Sequence, residues 1–136
     1  VEKADFKGYR ALVLEVQQLR EQLATLESSM YSPRSSRPSL TPKAHGVNHG
    51  PEDAIAQHIK LVAWYRENLA AKEAQQLTIE QAIESLEDPA ERVVMRRRYI
   101  CGLEWTPIIA ELAAIGFSER QVYRLHGFAL LRLKDI

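Results

Sequence analysis

The sequence predicts an all-α protein, with an N-terminal helical hairpin or coiled coil followed by a C-terminal helix–turn–helix. Three observations carry this expectation. Ala, Leu, Glu, Lys and Arg make up close to half of the 136 residues, a bias that favours long helices. Apolar residues recur at helical spacing over two long segments and again near the C-terminus. Only 6 Gly and 6 Pro are present, too few for the frequent turns of a β-sandwich. A chain of 136 residues with 46% hydrophobic and 26% charged side chains suits one or two small domains.

The first element covers residues 1–30. Tyr9, Leu12, Val16, Leu19, Leu23, Leu26 and Met30 alternate in steps of three and four, a heptad stripe. Leu12, Val16, Leu19, Leu23 and Leu26 are therefore candidate oligomerisation residues. The same stripe also fits one arm of a hairpin inside a single chain, and spacing alone does not separate the two. Residues 31–51 form a linker rich in Ser, Pro and Gly, where Pro33, Pro38, Pro42 and Pro51 stop helix continuation. It contains no acid, but holds Arg34, Arg37, Lys43, His45 and His49, so it reads as a solvated tether or a basic arm able to touch phosphate. Residues 52–87 contain neither Gly nor Pro. Glu52 and Asp53 suit a helix start, and Ile55, Ile59, Val62, Tyr65 and Leu69 mark one face. Ile79, Ile83 and Leu86 resume that face after a weak stretch at Lys72–Gln76, which leaves room for a bend or a change of partner. A continuous helix here is about 50 Å long at about 1.5 Å per residue, and it needs a partner to bury its stripe.

Residues 88–136 read as a separate helix–turn–helix domain. Asp88-Pro89-Ala90-Glu91 is a helix start, with Asp88 as N-cap, Pro89 at N1 and Glu91 at N3. That helix runs to about Cys101, where Gly102 suits the residue after the end. Thr106-Pro107 opens a short helix with Ile109 and Leu112 apolar, and Gly116 closes it. Ser118 caps a last helix, with Gln121 as the reciprocal capping partner, and its inner side is Val122, Leu125, Ala129 and Leu133. Two short helices hinged at Gly116 make a helix–turn–helix pattern.

Glu119, Arg120, Tyr123 and Arg124 remain outward on the leading turns of the last helix. Arg can pair with both guanine N7 and O6, Glu can accept from cytosine N4, and Tyr can bond phosphate or pack on a thymine methyl. These four are the candidate base contacts. Ser118 and Gln121 at the helix start, with Arg96, Arg97 and Arg98 upstream, are the candidate phosphate contacts. The formal charge of the whole chain is zero, but residues 91–136 carry 8 basic and 5 acidic side chains, while residues 51–90 carry 3 and 8. Part of the arginine run is also available to pair with Glu87, Glu91 or another chain.

The segment from Ile83 to Leu133 resembles region 4 of sigma-70-type transcription factors. The strings that carry this are Arg98-Tyr99-Ile100 and Ser118 with Gln121-Val122-Tyr123-Arg124-Leu125-His126 and Ala129-Leu130. The layout of the whole chain is similar to small phage and prophage regulators of the RinA and ArpU type. The resemblance implies a sequence-specific DNA-binding regulator of a phage or prophage operon that reads promoter DNA with the early outward positions of the last helix. It departs from the common pattern in one respect. Five residues lie between Ala110 and Gly116 where three are usual, so the inter-helix angle is open. Nothing resembles the promoter-melting region of a complete sigma factor.

Other chemistry is not expected. One cysteine excludes a disulfide framework and CxxC motifs. His45 and His49 lie in the linker, His58 and His126 are isolated, and no phosphate-cradling glycine motif occurs. Cys101 reads as a small buried residue, and Trp64 and Trp105 as core or interface. No enzyme, metal, cofactor or small-molecule substrate is expected. No apolar run reaches 18 residues and VEKADFKGYR lacks the apolar core of a signal peptide, so a cytoplasmic protein without a membrane partner is expected. The expected partners are double-stranded DNA, host RNA polymerase and further copies of the chain. Two rival readings stand beside the regulator: a small terminase-type packaging component, which predicts rings in solution, and a polymerase-binding adaptor that does not touch DNA.

Overall fold

The structure, a computed structural model, describes residues 1–30 and 50–135. Among them every regular element is helical: α1 (Lys3–Lys7), α2 (Tyr9–Met30), α3 (Pro51–Glu84), α4 (Pro89–Met95), a π-helical turn (Arg96–Ile100), α5 (Trp105–Ala113) and α6 (Glu119–Leu133). None of these helices is long and apolar enough to cross a membrane. The linker expectations, including Arg34, Arg37, Lys43, His45 and His49, fall outside the described residues apart from its last two positions. Two compact units are present, Val1–Leu14 with Glu73–Ile136, and Glu15–Lys72.

In the unit Glu15–Lys72, α2 and α3 touch along their lengths. Glu15 meets Lys72 at 3.1 Å and Glu27 meets Arg66 at 2.9 Å. The His58 ring nitrogen lies 2.9 Å from the Leu26 carbonyl oxygen. Early residues of one helix thus meet late residues of the other, an antiparallel pairing. The heptad stripe faces this contact: Val16 is buried, and Leu19, Leu23 and Leu26 are half-buried within the chain. Across from them Val62 is buried and Tyr65 and Leu69 are half-buried. The expected face of α3 is corrected at its start, because Ile55 and Ile59 are 56% and 51% exposed. They sit to one side of the line through His58, Val62, Tyr65 and Leu69, which the 3.6-residue repeat turns toward α2. α3 passes Lys72–Gln76 without a break and ends at Glu84, three residues short of the expected Glu87. The Ser85 hydroxyl donates to the Ala82 carbonyl at 2.6 Å and closes the last turn.

The other unit collects α1, the start of α2, the end of α3, and everything from α4 onward. α1 begins with a capping box between Glu2 and Asp5. Phe6 is buried with its ring 5.6 Å from that of Tyr99. Tyr9 is buried too, and its hydroxyl donates to the Glu80 carboxylate. Burial, reinforced by that carboxylate, pushes the Tyr9 phenol up to about 12. Ile79, Ala82, Ile83 and Leu86 complete the buried side contributed by α3 and its C-terminal turn.

α4 starts as its sequence predicts at Asp88, whose carboxylate accepts from the Ala90 N–H at 2.9 Å. Glu91 departs from the expected capping role. It is 2% exposed, and its Oε1 accepts from Arg132 of α6, leaving Oε2 buried without a hydrogen-bond partner among the described residues. A buried carboxylate tied to one arginine fixes how α4 and α6 pack, at a desolvation cost that the pairing offsets. Beyond α4 the winding loosens, and the Cys101 N–H reaches back five residues to the Arg96 carbonyl at 2.9 Å. Gly102 then turns with φ +73°, and a Cβ there would sit 3.1 Å from the Arg10 Nε. Arg10 itself donates to the Ile100 carbonyl at 2.9 Å, so the glycine lets α2 reach this corner. Cys101 is exposed, contrary to expectation, because the wider turn rotates it outward while Tyr99 fills the interior.

Candidate nucleic-acid interface

Four side chains, Val94, Ile108, Leu112 and Val122, form the buried cluster under α5 and α6. Leu103, Trp105, Ile109, Phe117 and Leu125 pack around it. α5 begins at Trp105, one residue before the expected start, and turns Ile108 rather than Ile109 fully inward. Gly116 has φ +98°, the left-handed conformation that ends α5 without strain. Ser118 then caps α6 as the sequence predicts: its hydroxyl accepts from the Gln121 N–H at 3.2 Å, and the Gln121 carboxamide accepts from the Ser118 N–H at 2.7 Å. Val122, Ala129 and Leu133 are buried and Leu125 half-buried, so the predicted inner side of α6 is the observed one.

With that side fixed, the opposite one is set by helical geometry. Glu119, Arg120, Tyr123 and Arg124 are all exposed. Among the described residues neither Arg120 nor Arg124 makes an ion pair or side-chain hydrogen bond. Tyr123 is 44% exposed, but its ring is not loose: Trp105 lies 5.2 Å away at 59°. Trp105 is in turn held between the edge of His126, 4.8 Å away, and the Arg98 guanidinium, 4.9 Å from its centroid. His126 stacks on Tyr99 at 5.7 Å and its Nε2 lies 2.7 Å from the Tyr99 hydroxyl. Burial, then the charges of Lys3 and Arg98, pull the His126 imidazole down to about 4. The neutral His126 ring and the Tyr99 hydroxyl share one hydrogen bond through Nε2, and burial holds that phenol above its usual range. This aromatic column stiffens the exposed face of α6 from behind.

The three consecutive arginines divide differently. Arg96 pairs with Glu84. Arg97 lies 3.1 Å from Glu111 on α5, and its Nη1 lies 3.9 Å from the Cys101 sulfur. Arg98 donates to the Leu103 carbonyl at 3.0 Å, lies 3.7 Å from Glu104 and covers Trp105. Arg92, not among the candidate contacts, donates to the Leu86 and Glu87 carbonyls. The π-helical turn spreads the run around the axis, so the three do not present one front. Arg96 and Arg97 keep nearly half their side-chain surface in solvent, while Arg98 is the most enclosed. Sequence reasoning missed Trp105, Tyr99 and His126 as the support of this face. The signal was present as the spacing of Tyr123 and His126 on α6, but their aromatic partners come from other elements. No group of His, Cys, Asp or Glu among the described residues could hold a metal ion.

Neither a protein-family model, nor a curated protein, nor a solved structure matches this chain.

Proposed function

We propose that the chain is a sequence-specific DNA-binding regulator of transcription, with α5 and α6 acting as a helix–turn–helix of the sigma-70 region-4 type. One observation carries this reading: Arg120 and Arg124 stand exposed and unpaired, one turn apart, on the leading face of a capped and buttressed helix. Two arginines so placed can each reach a guanine edge, while Tyr123, steadied by Trp105, supplies a phosphate or methyl contact. The capped start of α6 presents its first N–H groups and dipole toward phosphate near Ser118 and Gln121. Arg96 and Arg97 add charge to the flank, each shared with an acid of the same chain. The resemblance to RinA- and ArpU-type proteins extends the proposal to a phage or prophage operon in a bacterial cytoplasm, with RNA polymerase as a further partner.

Selection of duplexes from a random pool tests it. Wild-type protein is expected to enrich one short motif, and the Arg120→Ala/Arg124→Ala variant to enrich none while keeping its helical content. A pool that stays random with wild-type protein, or a motif indifferent to the double change, overturns the reading.

A further inference from the structure

The heptad stripe of α2 is turned against α3 in the unit Glu15–Lys72. The opposite side of α3 faces away from that contact. Trp64 is 52% exposed there, an unusual place for the largest side chain of a soluble helix. Lys60, Ala63, Trp64 and Glu67 share this face at helical spacing, and all four are exposed. Exposed Ile59 and Leu61 flank it on either side. The charges are arranged symmetrically about its centre: Lys60 stands one turn before Ala63-Trp64 and Glu67 one turn after. Among the described residues neither Lys60 nor Glu67 has an ion-pair partner within the chain.

We propose that this face of α3 is a self-complementary surface that binds a second copy of the chain, α3 against α3 in antiparallel orientation, with the two-fold axis passing between Ala63 and Trp64. Such an axis brings Lys60 of each copy opposite Glu67 of the other, twice over, and places the two Trp64 rings side by side at the centre. This is the isologous contact of a two-fold dimer, in which one patch serves both sides. A central tryptophan ringed by charged pairs is the common anatomy of such a contact. Ala56, Ala63 and Ala70, also exposed on this side, let the backbones approach to about 8 Å. A parallel pairing sets Lys60 against Lys60 and Glu67 against Glu67, so the charges select the antiparallel one. The surface is independent of the DNA reading, although two linked copies raise the affinity of any small DNA-binding module.

Mass measurement of the full chain in solution, without DNA, tests the proposal. Wild-type protein is expected to run as a dimer. Lys60→Glu and Glu67→Lys, each alone, confront like charges at both ends and are expected to weaken dimerisation about tenfold. An equimolar mixture of these two variants is expected to recover the dimer, because every pair across the axis is then of opposite charge. The Lys60→Glu/Glu67→Lys double variant is expected to recover it as well, and Trp64→Ala to lose it with unchanged helical content. A wild-type monomer at high concentration, or a dimer insensitive to both single reversals, overturns the proposal. So does a mixture that dimerises no better than either variant alone.

Discussion

The arginines of the C-terminal unit fall into two sets that the sequence makes look alike. Arg96, Arg97 and Arg98 are consecutive, yet each is tied to its own chain, through Glu84, Glu111, and the Leu103 carbonyl with Trp105. Arg120 and Arg124 are only two in number, yet both extend from α6 with no partner among the described residues. The difference teaches that formal charge in a sequence is not charge available to a ligand. An arginine already paired must give up or share that pair before it can reward a phosphate, whereas an unpaired one brings its full donor set.

Four changes break or sharpen this contrast. The largest effect is expected from Arg120→Ala/Arg124→Ala, which should lower affinity for a selected duplex by about a hundredfold, at roughly 1–3 kcal/mol per two-pronged base contact. Titration at fixed salt measures it, and Arg96→Ala in the same assay should weaken selected and random duplexes alike and by far less. Next is Arg132→Ala, which strands the buried Glu91 carboxylate and should destabilise the fold by about 2 kcal/mol, read as a lower urea midpoint.

Third is pH. His126 is held near 4 in the folded chain against an ordinary value near 6.5, so its contribution is complete above about pH 6.5. Between there and pH 4 the unfolded chain takes up the proton first and that stability drains away, on the order of 2 kcal/mol after allowing for partial exposure. Comparing wild type with His126→Gln across this window isolates the effect, and the variant should show the shallower slope. The smallest effect is Glu111→Gln, which releases Arg97 and should tighten binding to every duplex about twofold, with a steeper dependence on salt.

Local signals explain what was legible. The Ser118–Gln121 capping box, the positive φ of Gly116 and Gly102, the Asp88 cap and the inner side of α6 each depend on residues a few positions apart, and each stands where the sequence places it. What was hidden depends on partners far along the chain. Phe6 packs on Tyr99 and Tyr9 bonds Glu80 across more than 70 positions, so nothing near the N-terminus announces that α1 belongs with the C-terminal helices. Glu91 has the position of a capping residue and the environment of a core one, because Arg132 arrives from α6. Ile109 and Ile108 are equally apolar, and only the earlier start of α5 decides which points inward. The partners of the arginine run were hidden in the same way: Glu84, Glu111 and Trp105 lie on other elements, so the sequence shows the charges but not which acid or ring takes each one.

The five-residue turn at Arg96–Ile100 has a consequence for engineering. One surplus residue sits in that coil, so everything after it is rotated relative to a regularly wound helix. Excising a single arginine from the run is therefore not the same as neutralising it. Shortening would re-phase the downstream chain, swing Tyr99 away from Phe6, and pull the Trp105 brace out from under Tyr123. An alanine at the same place would erase a charge and leave the phasing intact.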